Sequence, residues 1–218
     1  MPRARSASPA GARRPALRTS RERLFTAAAT EFAARGFAGA SVDRIARAAR
    51  VNKAMIYYHF TSKATLYREI LRDMFEAVSA RVSVIAHSAI DPADKIRAFV
   101  EAIATEAEAR PHFPPIWFRE IADGGRHLDV QTAAHIAAIV KVLGGIVAEG
   151  VAAKRFRPVK PLFVHAGIVG PLLLYFASAE VRKRLEQRGV AGADRLERRE
   201  VVAHIQNVAI GTLEGHKS

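Results

Sequence analysis

The segment NKAMIYYHFTSK, residues 52–63, concentrates side chains that bind phosphate and the edges of bases. Its ring and ammonium donors are Lys53, Tyr57, Tyr58, His59 and Lys63. A helix that only packs into a core spaces its large apolar groups three or four residues apart, so three adjacent rings are not explained by packing. Phenol, imidazole and ammonium groups are the donors that phosphate oxygens accept. We therefore predict that this segment contacts DNA.

The positive charge of the chain is concentrated at the same end. The 218 residues carry a net charge of +13. Residues 1–70 contain 14 Lys and Arg against 4 Asp and Glu, whereas residues 71–218 contain 20 against 17. A polyanionic partner is therefore expected to meet the first third of the chain. Nucleic acid is the first candidate, and an anionic membrane surface is the second.

Composition also limits the kinds of site that the chain can build. It has no cysteine, which excludes disulfides and is typical of the reducing cytoplasm, where we place the protein. A zinc site would need histidine and carboxylate ligands. The candidate histidines have spacings that fit no compact motif such as HExxH. They are His112, His127, His135 and His165. We predict no metal and no cofactor.

Residues 1–18 are rich in Arg, Ala, Ser and Pro and contain no acidic residue. This composition predicts a disordered basic arm that adds loose phosphate contacts. Organelle transit peptides have a similar composition and remain an alternative.

The stretch Pro161–Ala179 has no Asp, Glu, Lys or Arg and nearly the length that spans a bilayer. It also contains His165, two glycines and Pro171, and charged residues bracket it closely. These features favour a helix buried in a protein interface, so we predict no membrane partner.

Apolar periodicity predicts an all-α fold, because runs with the alternation of strands are missing. Four helices begin the chain, and their caps are Thr19 or Ser20, Ser41, Asn52, and Thr61 or Ser62. Gly36 ends the first helix, and the fourth continues to about His87. Three short helices with a tight turn between the second and third predict a helix-turn-helix domain over residues 19–66.

Residues 67–218 are predicted to form a second helical domain. The segment RPHFPP predicts a loop, and a short helix follows in IWFREIA. The other helices are expected at 92–109, at 128–153, from about 161, and at 195–213.

The stretch FAARGFAGASVDRIARAARVNKAMIYYHFTSKATLY resembles the N-terminal DNA-binding domain of the TetR family, the tetracycline-repressor-like regulators. The resemblance covers about Arg21 to Leu71, and the remaining two thirds of the chain match only in layout. It implies a transcription regulator, most simply a repressor, that binds a double-stranded DNA operator as a homodimer.

The resemblance also implies roles for particular residues. The second helix would place Ser41 and Arg44 at phosphates, and the third would be the recognition helix in the major groove. Positions that approach bases are Lys53, Ala54, Met55 and Tyr58; positions that grip phosphates are Tyr57, His59 and Lys63. Lys53 has the chemistry to donate to guanine O6 or N7. The chain departs from the family at two positions. The family often has glycine where Arg50 stands, and it often has a small or hydroxylated residue where Met55 stands.

In this family the larger domain pairs two chains and binds an effector. We predict that the last two apolar helices form the dimer interface through Ala166, Gly170, Leu173, Leu174, Val202, Ile205 and Ala209. Packing of these helices within one chain is the alternative. We predict a binding site for an unidentified, largely apolar effector. The residues expected to line it are Ile103, Phe113, Trp117, Phe118, Ile121, His135 and Ile139; plain core packing is the alternative.

Two other functions compete with that of a ligand-responsive regulator. A helical enzyme would need acid–base groups such as His135 and Glu149, but the sequence has no motif for a nucleophile, a phosphate loop or a metal. An architectural DNA-binding protein would use the second domain only as a dimer scaffold. We expect that the protein is not an enzyme.

Overall fold

A computed structural model describes residues 19–215, and every regular element in that range is an α-helix. The ten helices are α1 (Ser20–Gly39), α2 (Val42–Ala49), α3 (Ala54–Phe60), α4 (Lys63–Ala86), α5 (Pro92–Ala109), α6 (Phe113–Ala122), α7 (Val130–Ala152), α8 (Pro161–Ala177), α9 (Ala179–Gln187) and α10 (Arg198–Glu214). The predicted all-α fold is confirmed. The predicted basic arm, residues 1–18, lies outside the described residues.

Helices α1 to α3 form the helix-turn-helix unit around a small apolar core. The side chain and backbone of Thr19 form a capping box with Glu22 at the start of α1. Gly36 has a φ of 67°, which kinks the helix where the sequence predicted its end. Beneath the unit, the apolar faces of the three helices are buried: Leu24, Phe32, Ile45, Ala49, Ile56 and Phe60. The short second and third helices are held by this packing rather than by their own stability.

Helix α4 joins the helix-turn-helix unit to the rest of the chain. Ser62 caps it by accepting a hydrogen bond from the backbone N–H of Thr65 at 3.0 Å. The helix then runs unbroken for 24 residues, a length of about 36 Å. The predicted domain boundary between residues 66 and 67 lies inside it, in its first turn. Helix α4 therefore belongs to both predicted domains.

The C-terminal helices surround α4 and α5. Helix α7 packs along α4 and also contacts α5 and α8, while α10 packs on α8 and α5. Asp91 and Pro92 start α5 as predicted, with the Asp91 carboxylate accepting from Ala93 N–H at 2.9 Å. Helix α6 begins at Phe113, three residues before the predicted start at Ile116. The prediction was wrong there because prolines are tolerated in the first turn of a helix.

The uncharged stretch Pro161–Ala179 is formed almost entirely by α8, and a bend follows at its end. Helices α8 and α9 meet at Ser178 and are bent by 63°. By length and composition α7 is apolar enough to cross a membrane, and the bent pair passes the same test if it is taken as one span. Core helices of folded proteins also pass it, and α7 buries Ile139, Leu143 and Ile146. The absence of a membrane partner stays a prediction.

Asp129 caps α7, and its replacement by alanine is expected to lower the free energy of unfolding by about 1–2 kcal/mol. Its carboxylate accepts from Thr132 N–H at 2.8 Å and pairs with Arg72. Burial acts to raise the pKa of Asp129, but the hydrogen bonds from Thr132 and Arg72 outweigh it and bring the pKa to about 2.

Because this pKa is depressed, the stabilisation is present above the unfolded value of about 3.9 and is lost as pH falls toward 2. Thermal unfolding of wild type and Asp129→Ala should therefore differ at pH 7 and converge below pH 4. Asp194→Ala, at an exposed position, is the control and should match wild type at every pH. Equal melting temperatures for wild type and Asp129→Ala at pH 7 would contradict the prediction.

Candidate DNA-binding surface

Helix α3 points its polar groups away from the fold. Tyr57 is 51% exposed and Tyr58 is 79% exposed, while the side chain of Lys53 is 48% exposed. On the opposite face Ile56 and Phe60 are buried and hold the helix against its neighbours. A helix anchored on one side, with donors in solvent on the other, has the form required to enter a major groove.

His59 and Lys63, by contrast, already have partners within the chain. The Nε2 atom of His59 lies 2.8 Å from the hydroxyl oxygen of Ser20. The Lys63 ammonium donates to the carbonyl oxygen of Ala40 at 3.0 Å and lies 4.6 Å from the centre of the Phe37 ring. These contacts tie the end of α3 and the start of α4 to α1. Both side chains thus help to position α3, and their predicted phosphate contacts remain a proposal.

The start of α2 is organised by Glu31. Its carboxylate accepts from the backbone N–H of Ser41 at 3.2 Å and from Arg44 Nε at 2.6 Å. Burial acts to raise the pKa of Glu31, but the hydrogen bonds from Arg44 and from Ser41 N–H, together with the charges of Arg44 and Arg35, lower it overall. The hydroxyl of Ser41 makes no capping hydrogen bond in α2 and is available to a phosphate. Arg44 is only partly exposed and would have to share its guanidinium between Glu31 and DNA.

The two positions that depart from the family lie at the edge of this surface. Arg50 adopts the left-handed conformation, with φ of 54°, which costs a residue other than glycine about 1 kcal/mol. Met55 is half-buried, so only part of its side chain is available to a base, while Ala54 beside it is exposed. The N-cap of α3 is Lys53 rather than the predicted Asn52, although the side-chain oxygen of Asn52 accepts from Ala54 N–H at 2.8 Å.

Asp43 is a charged residue of this surface that sequence reasoning missed. One of its carboxylate oxygens lies 2.9 Å from Lys53 Nζ, so an ion pair bridges α2 and the start of α3. Asp43 lies outside the buried face of α2, which is formed by Ile45, Ala46 and Ala49. Its pairing with Lys53 depends on the turn between the two helices, which no local pattern specifies.

Helix α6 connects α1 of the helix-turn-helix unit to the C-terminal part. The guanidinium of Arg119 donates to the carbonyl oxygens of Ala33 and Ala34, just before the kink in α1. It also covers Gly36, where an added Cβ would lie 3.3 Å from Arg119 Cδ. These backbone contacts fasten α1 to α6.

Next to Arg119, a buried polar group joins α4, α6 and the loop that follows α6. Glu120 is fully buried and accepts from the Tyr67 hydroxyl at 3.1 Å and from the backbone N–H of His127 at 2.7 Å. The Nδ1 atom of His127 lies 3.0 Å from the same carboxylate. Burial and the charge of Glu120 together raise the pKa of Tyr67. We call Tyr67, Glu120 and His127 the Glu120 cluster.

The seven residues predicted to line an effector site are divided between core and surface. Three are buried: Ile103, Phe113 and Ile139. Two are half-buried: Trp117 and His135. The other two are Phe118, 37% exposed, and Ile121, 55% exposed. Phe118 and Ile121 face solvent, so the structure does not bring them into one wall with the others.

The residues predicted for the dimer interface are also divided. Four of them pack inside a single chain, each at most 6% exposed: Leu173, Val202, Ile205 and Ala209. They fill the space between α8, α10 and α5, so the alternative of packing within one chain applies to them. The remaining three are exposed: Ala166, Gly170 and Leu174. With Phe163, 68% exposed, they form one stripe along α8, which we call the α8 stripe.

The acid–base pair considered for an enzyme is not assembled. His135 and Glu149 stand 14 residues apart on α7, about 21 Å along the helix axis. Glu149 instead pairs with the buried Lys95 at 2.7 Å. Within residues 19–215, no group of three His, Asp or Glu side chains is placed to hold a metal ion.

Comparison with known proteins places this arrangement in a family. Residues 24–70 match the family model described as bacterial regulatory proteins, tetR family. Residues 92–205 match the one described as tetracyclin repressor-like, C-terminal domain, which is more than half of the chain.

Individual relatives agree with both matches. The HTH-type transcriptional repressor NicS of Pseudomonas putida is 25% identical over 88% of this chain and 91% of its own length. The HTH-type transcriptional repressor SCO4008 of Streptomyces coelicolor is 34% identical, over 46% of this chain and 49% of its own length, so this chain spans about half of that relative. A tetR-family regulatory protein from Rhodococcus RHA1 has the same fold, with a TM-score of 0.74 and 18% identity over 92% of this chain and all of that one. With both of its parts matched, this chain belongs to the TetR family of bacterial regulators.

Proposed function

We propose that two copies of this chain form a cytoplasmic repressor that binds a palindromic operator and is released by a small, largely apolar effector. The observation that carries the proposal is the outward presentation of Lys53, Tyr57 and Tyr58 on a helix anchored by Ile56 and Phe60. The two relatives described above are both repressors, which favours repression over activation.

Pairing through the α8 stripe is part of the proposal. Its members recur at helical spacing, and Gly170 allows a second helix to approach closely. Val208 on α10, a helix that packs on α8, is also 49% exposed. Contiguous exposed apolar surface of this kind marks association sites. A symmetric pair of chains would present two copies of α3 to the two halves of a palindrome.

We propose that the effector acts on the aromatic group around Phe75 of α4. The Phe75 ring lies 4.7 Å from Trp117 and 5.4 Å from Phe113, centre to centre. An effector that separates these rings would tilt α4, which begins at Lys63 beside the recognition helix. Tilting α4 in both chains changes the distance between the two recognition helices. Binding needs that distance to match one DNA turn of roughly 34–36 Å, or a multiple of it.

The test begins with recovery of genomic fragments bound by the full-length protein, followed by footprinting. A protected palindrome, with affinity that falls by a log–log slope of about −0.9 per phosphate contacted as salt rises, is the expected result. A metabolite screen then follows thermal stability, Trp117 fluorescence and operator release. Stabilisation without release, or no response to any metabolite, would favour the architectural alternative. Failure to bind any duplex at low salt would overturn both DNA-binding functions.

A further inference from the structure

The ion pair between Asp43 and Lys53 joins the first turn of α2 to the residue that precedes α3. Lys53 Nζ is 2.9 Å from one oxygen of Asp43 and 3.1 Å from the other. Both side chains are exposed, 62% for Asp43 and 48% for Lys53. Asp43 raises the pKa of Lys53 through a hydrogen bond and its charge, so the lysine stays fully protonated.

Stability alone does not explain an acidic residue at this place. Exposed ion pairs contribute little to folding, and a carboxylate on a DNA-facing surface repels phosphates and so weakens binding to any sequence. Asp43 also lies in the first turn of α2, where a negative charge favours the helix. That benefit does not depend on Lys53, and it would be equal at a first-turn position that faces away from DNA.

Taken together, the two side chains present a donor beside an acceptor. In the major groove a G·C pair offers two acceptors on guanine, O6 and N7, and one donor on cytosine, the N4 amino group. Lys53 matches the guanine acceptors and Asp43 matches the cytosine donor. An A·T pair offers its acceptors on either side of a single donor and adds a methyl group, so it fits the same arrangement less well.

We propose that Asp43 is a specificity-determining residue and that the Asp43–Lys53 pair reads one G·C base pair in each half-site. This inference rests on the proposed function, because it requires a specific operator. Asp43 contributes by accepting from cytosine N4 and by holding the lysine ammonium beside guanine. Repulsion between Asp43 and the phosphates weakens binding to every duplex. Duplexes without the matching cytosine are weakened further, because they leave the carboxylate unpaired, and this difference favours the G·C site.

The experiment selects binding sites from randomised duplexes with full-length wild type, Asp43→Asn and Lys53→Gln, and measures affinities for the selected site and its single-base variants. Asp94→Asn is the matched control. Asp94 is also an exposed carboxylate in an ion pair, with Arg97 at 2.9 Å, but it lies on α5. Thermal unfolding of each variant reports any structural effect.

For wild type, replacing the G·C pair by A·T is expected to weaken binding by roughly 5- to 150-fold. In Asp43→Asn this ratio should fall to less than about threefold, while affinity for unrelated duplexes rises because a negative charge is lost. Lys53→Gln should shift the preference at the same position toward A·T, since glutamine pairs with adenine N6 and N7. Asp94→Asn should select the wild-type site.

An unchanged G·C preference in Asp43→Asn, whether or not the melting temperature of that variant falls, would overturn the inference alone. A wild-type chain that selects no sequence would overturn the proposed function, and this inference with it. The selected sites therefore separate the two failures.

Discussion

Replacing Lys53, Tyr57 and Tyr58 together by alanine is expected to weaken operator binding more than about 100-fold, because removing each charge-assisted hydrogen bond costs roughly tenfold in affinity. The folded chain should be nearly unaffected, since all three side chains are about half exposed or more and the buried face of α3 is untouched. Gel-shift titration at several salt concentrations measures both the affinity and the number of phosphates that the protein neutralises. Of the three side chains only Lys53 carries a charge, so the slope of log affinity against log salt should become shallower by at most about 0.9, and loss of the neutral tyrosines should leave it unchanged.

A double variant at the far end of α4, Val84→Ala/His87→Ala, is the control for this experiment. Val84 is 73% exposed and His87 is also exposed, and both lie away from α2 and α3. The control should bind like wild type. Retention of operator affinity within threefold by the triple variant, with an unchanged salt slope, would show that α3 does not carry the DNA contact.

Replacing Glu120 by alanine is expected to lower the free energy of unfolding by about 3–5 kcal/mol, the loss typical when a buried charged group is removed and its partners remain. The Tyr67 hydroxyl and the backbone N–H of His127 would be left without their acceptor. For a chain of this size the melting temperature should fall by roughly 6–20 °C. Glu76→Ala, at an exposed position on α4, should leave it unchanged. A fall of less than 2 °C in Glu120→Ala would mean that the Glu120 cluster contributes little.

The same cluster predicts a response to alkaline pH. Because the folded-state pKa of Tyr67 is raised, its contribution to stability is complete below the unfolded value of about 10 and is lost as pH rises beyond it. Wild type should therefore lose stability above pH 10 more steeply than Tyr67→Phe. Parallel curves for the two proteins would contradict this assignment.

Helix positions were predictable from the sequence because their signals are local. Thr19, Ser62, Asp91 and Asp129 cap helices through atoms two or three residues away, and Gly36 kinks α1 through its own backbone. The recognition helix was predictable for the same reason: its exposed rings and buried Ile56 belong to one short segment.

What covers an apolar face was not predictable. Periodicity indicated an apolar side on α10, but only the folded chain shows that Val202 and Ile205 face α5 and α8 rather than a second copy. Likewise Glu120 stands in an apolar run without any sign of its role, because Tyr67 is 53 residues away in sequence. The pairing of Asp43 with Lys53 was not predictable for the same reason: it depends on how two helices are placed.

The grip of Arg119 on the carbonyl groups of Ala33 and Ala34 bears on how this protein can be re-engineered. An arginine from α6 donates hydrogen bonds to backbone carbonyl groups of α1, so the N-terminal helices are completed by a helix of the C-terminal part. Consider a chimaera that joins residues 19–86 of this chain to the C-terminal part of another protein. Gly36 would be uncovered in it unless that other protein supplies a guanidinium equivalent to that of Arg119. We expect such a chimaera to fold when α6 of this chain is transferred together with residues 19–86, and to fail when α6 is left out.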